Sequence, residues 1–103
     1  MGTLELIREA SKKQVLFTLH VHRQIDARNI TIKEIFEALE NPELVEDYPN
    51  DPRGHSCLIL GFTKQGKPLH VVCAPRAGGL MVITVYQPSL LEWKLNYKSR
   101  RMA

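Results

Sequence analysis

The spacing of apolar residues changes at Asn41–Pro42, and no other feature constrains the fold of this chain as much. Before that point they recur at helical intervals. Leu4 and Ile7 mark a first helix over residues 3–13, and Phe17, Val21 and Ile25 a second, with Thr18 placed to cap it and Asn29 to end it. Thr31–Glu34 (TIKE) matches a capping box, followed by Ile32, Ile35, Phe36 and Leu39 as the buried stripe of a third helix. After Pro42 the pattern becomes strand-like in residues 44–48 (LVEDY), 56–62 (SCLILGF), 68–74 (PLHVVCA) and 80–86 (LMVITVY). The connections between the last three are short, which calls for antiparallel hairpins. The expected class is α+β, with two to three N-terminal helices on one face of a four-stranded antiparallel sheet and the other face free. At 103 residues the chain is read as one domain, 1–103, with residues 1–14 and the basic 98–103 at its periphery.

Hydrophobic residues are 44% and charged residues 24%, a globular balance that argues against disorder. No apolar run is long enough to cross a membrane and the N-terminus carries acids, so the expected location is the cytoplasm, with no membrane partner. Cys57 and Cys73 form no CxxC and no zinc-ligand spacing, and in a reducing compartment they read as buried thiols. No metal or cofactor is expected. Charge is uneven: residues 34–51 hold seven acids and no base, whereas residues 52–103 hold eight bases against Glu92 alone. That asymmetry suits either a polyanionic partner or ordinary solvated surface.

His70 interrupts an otherwise apolar strand. If residues 75–79 (PRAGG) form a five-residue hairpin loop, His70 lies opposite Thr84, Val72 opposite Val82 and Pro68 opposite Tyr86. His70, Thr84 and Tyr86 then share the less buried face, and Leu69, Val71, Cys73, Ile83 and Val85 face the helices. His70 is then either a structural partner of Thr84 or Tyr86, or a proton-transfer group beside a phenol and arginines. On the second helix, His20, Gln24 and Arg28 line one face, flanked by Arg23. Such a face can hold phosphates, remain ordinary surface, or tie Arg28 to the acids of residues 43–47. His20 and His22 point to different sides and do not share a metal.

The ordered series F-T-x-H (Phe17–His20), A-R-N-I-T (Ala27–Thr31), E-x-Y-P (Glu46–Pro49), S-C-L-I-L-G (Ser56–Gly61), K-P-L-H-V-V (Lys67–Val72) and I-T-V-Y-x-P (Ile83–Pro88) resembles the bacterial domain-of-unknown-function family 4258, grouped with RelE- and ParE-like toxins. The resemblance spans about residues 17–97. His20, Arg28, His70 and Tyr86 match the family's motif residues. Gln24 stands where the family pattern has an arginine, with Arg23 one place earlier.

The resemblance implies a toxin of a type II toxin–antitoxin module with a cognate antitoxin protein as partner. RelE-like relatives cut messenger RNA on the ribosome without a metal, which would make this chain a metal-independent endoribonuclease. His20, Arg28, His70 and Tyr86 would then be catalytic, and Arg23, Lys67, Lys94, Lys98, Arg100 and Arg101 would contact RNA or the ribosome. Trp93 and Tyr97 offer stacking surfaces, although Trp93 reads better as core. The alternative is a non-catalytic, ParE-like inhibitor or inactive protein-binding domain, in which His70 and Tyr86 form a structural pair.

Overall fold

The computed structural model describes residues 2–102. Its elements are α1 (Thr3–Lys13), β1 (Val15–Phe17), α2 (Leu19–Arg28), α3 (Ile32–Ala38), β2 (Glu43–Tyr48), β3 (Ser56–Phe62), β4 (Pro68–Arg76) and β5 (Gly79–Tyr86). The class is α+β, with three helices on a mostly antiparallel sheet. That sheet has five strands rather than four, in the order β1-β5-β4-β3-β2, because β1 pairs in parallel with β5. Only three residues long and lodged between two helices, β1 has too little pattern to show an alternation.

The helix ends follow local chemistry. The Thr18 hydroxyl accepts the Val21 N–H, and Asn29 closes α2 in the left-handed region at φ 54°. Thr31 and Glu34 complete the capping box of α3. This helix approaches β3 so closely that a Cβ on Gly61 would lie 1.9 Å from the Ala38 carbonyl oxygen, which explains a glycine inside a buried strand. The first helix is integral to the core: Ile7 and Ala10 are buried with Val21, Ile35, Ile59, Val71 and Val82.

The β4–β5 hairpin differs from the expected register. Pro75 and Arg76 belong to β4, and the turn is the two residues Ala77 and Gly78, so Arg76 pairs with Gly79. Gly79 takes φ 146° and has no Cβ, which admits the Gln14 carbonyl beside it. A bulge at Ile83 then sets Val72 opposite Thr84 and His70 opposite Tyr86. It also pairs Cys73 with Val82 and makes Val82, not Ile83, the fully buried residue of β5 at this point. His70, Thr84 and Tyr86 still share a face, since the pairing at His70 moved by two residues.

The face opposite the helices is not free. Residues 88–101 form a strap across it, clasped by a bridge between Trp93 and Arg100. Trp93 and Tyr97 of this strap cover His70, which is fully buried rather than on a less buried side. No described helix is long and apolar enough to cross a membrane.

Candidate functional site

Two clusters contain the residues that the sequence singles out. Around His70, the ring of Trp93 stands edge-on at 4.4 Å between centroids and Tyr86 at 5.2 Å. His70 Nε2 lies 2.7 Å from the Tyr97 carbonyl oxygen, which can only accept, so Nε2 carries the proton. Nδ1 is then the acceptor for the Tyr86 hydroxyl at 3.0 Å. Burial holds His70 below its ordinary pKa and pushes the Tyr86 phenol up. Both groups are therefore neutral near pH 7, and neither ring nitrogen of His70 is free.

Arg100 lies over the Trp93 ring, 4.5 Å from its centroid, and grips Glu46 with two N–H···O bonds of 3.0 and 3.2 Å. Glu46 also accepts from the Tyr48 hydroxyl. The Arg100 hydrogen bond, then that of Tyr48, holds the Glu46 carboxyl below its usual range. Burial, then the Glu46 hydrogen bond, pushes Tyr48 up to about 12. Glu46 and Tyr48 lie outside the candidate residues read from the sequence, although their two-residue spacing on β2 puts them on one face.

The second cluster lies on α2. Gln24 is buried; its Oε1 accepts the Val85 N–H at 2.9 Å, so its amide nitrogen is the end that meets His20 Nε2, also at 2.9 Å. His20 Nε2 is thus an acceptor and its Nδ1 bears the proton. The exposed ring offers an N–H, not a lone pair. Arg28 Nη1 donates to the Val85 carbonyl at 2.9 Å, so Gln24 and Arg28 together satisfy both backbone groups of Val85. They continue along β5 beyond the end of β1, after Thr18 has bonded Val82 and Ile83. Arg28 serves this edge and not the acids of residues 43–47.

The four catalytic candidates do not meet in one cleft. No hydrogen bond or ring contact among the described residues joins His20 or Arg28 to His70 or Tyr86; the charge of Arg28 reaches Tyr86 only through space. Several of the basic candidates are committed inside the molecule. Lys67 Nζ bonds the Asn29 carbonyl and Glu34, Lys98 pairs with Glu43 at 3.7 Å, and Arg100 holds Glu46. The acidic stretch and basic C-terminus thus partly neutralise each other across β2 and the strap. Arg101 Nε donates to the carbonyls of Leu90 and Trp93, while Arg23 and Lys94 project into solvent. Among the described residues, no three His, Cys, Asp or Glu side chains converge as metal ligands.

A family described as "Domain of unknown function (DUF4258)" matches residues 17–87, more than half of the chain. The chain belongs to the DUF4258 family. Its DUF4258 segment contains His20, Gln24, Arg28, His70 and Tyr86, whereas Trp93, Tyr97 and Arg100 lie beyond the matched residues. No curated protein and no solved structure matches the chain.

Proposed function

We propose that this DUF4258 protein is a toxin-like member of a type II toxin–antitoxin module that acts by binding a protein rather than by cutting RNA. Its partners are a cognate antitoxin and a cellular target protein, in the manner of ParE-like inhibitors. One observation carries the choice between binding and cleavage: both motif histidines have their basic nitrogens occupied. His70 is buried, with Nδ1 accepting from Tyr86, and His20 Nε2 accepts from Gln24. A general base needs a free lone pair within hydrogen-bond reach of the proton it removes. The dispersal of Lys67, Lys98 and Arg100 into internal ion pairs supports the same reading, since each would have to exchange a carboxylate for a phosphate.

A ribonuclease reading is favoured by one feature. The Trp93 ring and Tyr97 carbonyl that cover and bond His70 belong to the strap, outside residues 17–87. Lifting the strap would free His70 Nε2 and uncover a histidine–tyrosine pair.

Induced expression in a bacterium without the antitoxin separates these readings, with growth, RNA ends and DNA topology followed together. Binding predicts arrest with intact RNA, unchanged by His70→Gln in a protein that still folds. New RNA ends, lost in that variant, would overturn it.

A further inference from the structure

β1 is a terminal strand of the sheet, and among the described residues its outer edge has no strand partner. On its inner side, Gln14 O accepts the Leu80 N–H at 2.9 Å, and the Thr18 N–H donates to Val82 O at 3.2 Å. Strand backbone groups alternate in direction, so the N–H and C=O of Val15 and Phe17 project away from β5. Among the described residues, none of these four groups has a hydrogen-bond partner. The opposite edge, β2, is protected: Thr3 bonds Asp47, Arg100 and Lys98 cover Glu46 and Glu43, and a bulge breaks the strand between Leu44 and Glu46.

Beside the free edge runs a groove of about 320 Å³, bordered by Arg8, Lys12, Val15, Phe36, Leu39 and Glu40. Its floor is apolar. Phe36 is 46% exposed and meets Phe17 edge-to-face, and Leu19 just beyond the strand is 66% exposed. Its rim is more basic than acidic. Arg8 and Lys12 stand there against Glu40; among the described residues Arg8 has no carboxylate partner, and Lys12 is paired only with Glu9 at the surface.

We infer that the β1 edge and its groove dock an extended acidic segment of a partner protein, which adds a sixth strand to the sheet. This inference rests on the binding reading above and names the surface that serves it. The unpaired Val15 and Phe17 groups supply main-chain hydrogen bonds, and alternate apolar side chains of the incoming strand enter the groove over Val15, Phe36 and Leu39. Charge selects the partner. An acidic segment meets Arg8 and Lys12, whereas a second copy of this chain would bring the same basic rim against itself.

The test uses the full chain and a blocked synthetic peptide of alternating valine and glutamate. A peptide of alternating valine and lysine is the control. Amide NMR and hydrogen exchange are read at Val15 and Phe17. The expected result is shifted, protected amides at both positions with the glutamate peptide and not with the lysine peptide. Arg8→Glu with Lys12→Glu should weaken binding by about tenfold or more. Phe17→Pro, which removes an outward N–H at an edge position, should abolish it. If Phe17→Pro does not fold, the charge-reversed variant still decides. Equal binding of both peptides, no change at Val15 and Phe17, or protection of these amides by self-association would each overturn the proposal. RNA ends in the expression experiment report on the functional reading independently of peptide binding.

Discussion

The side-chain carbonyl of Gln24 accepts the backbone N–H of Val85 at 2.9 Å. Position 24 therefore needs a hydrogen-bond acceptor in this chain, and an arginine there would have none. Gln24→Ala and Gln24→Arg should each leave the buried Val85 N–H unpaired and cost about 1–3 kcal/mol. Gln24→Glu keeps the acceptor and should cost less. Urea unfolding checks this: the midpoint should fall with an unchanged m-value in the first two variants. Equal stability of Gln24→Arg and the parent would mean that another group serves Val85.

The strap is held by a small set of contacts, and the only tryptophan of the chain lies at their centre. Arg100→Ala removes both the ion pair with Glu46 and the guanidinium over Trp93. Because Arg100 is largely exposed, the expected loss is only about 0.5–1 kcal/mol. It should appear as local release of the strap rather than global unfolding. Trp93 fluorescence should shift to the red in Arg100→Ala, and in the parent as salt is raised. An unshifted emission in both cases would show that the Trp93 packing alone fixes the strap.

Folding stability should fall as His70 becomes protonated. Burial lowers its folded pKa below the ordinary 6.5, and the nearby Arg100 charge acts in the same direction. The unfolded chain therefore binds the proton first as pH falls. The stabilisation is fully present above 6.5 and is lost as pH drops through 6.5 toward the lowered folded value. The carboxyls of Glu34, Glu46 and Asp47, all held below their usual values, lose their contributions at lower pH, around their unfolded pKa values and below. His70→Gln retains an N–H and an acceptor but cannot titrate. Melting temperatures across the weakly acid range should show a shallower slope in this variant than in the parent; equal slopes would exclude His70 as the source.

The helix caps were legible because each is written within four residues: Thr18 with Val21, and Thr31 with Glu34. Period two likewise placed His70 and Tyr86 on one face, and that result survived a displaced register. Three features depend on distant chain and could not be read locally. β1 exists because β5 offers it a parallel partner, the turn at Ala77–Gly78 is favoured by the approach of Gln14 to Gly79, and His70 is buried because Trp93 and Tyr97 return across it. At the candidate site, the residue types were legible but their commitments were not. Lys67, Lys98 and Arg100 looked available for phosphate until tertiary structure placed Glu34, Glu43 and Glu46 beside them.

Cys57 and Cys73 face each other across β3 and β4 as free, fully buried thiols, with their sulfurs 3.8 Å apart. The hydrogen bond with Cys57, reinforced by burial, pushes the Cys73 thiol well above its ordinary pKa. Thiolate is the reactive form, so a native cysteine here should be inert toward alkylating reagents and disulfide exchange. Reaction with an aromatic disulfide reagent should be slow in the folded protein and report two thiols promptly in denaturant. Cys57→Ala removes the partner and should lower the Cys73 pKa, but burial remains and labelling should stay slow while the fold holds. Its rate would then follow opening of the sheet, falling as added osmolyte stabilises the native state. Rapid labelling of the folded parent would contradict a closed β3–β4 core.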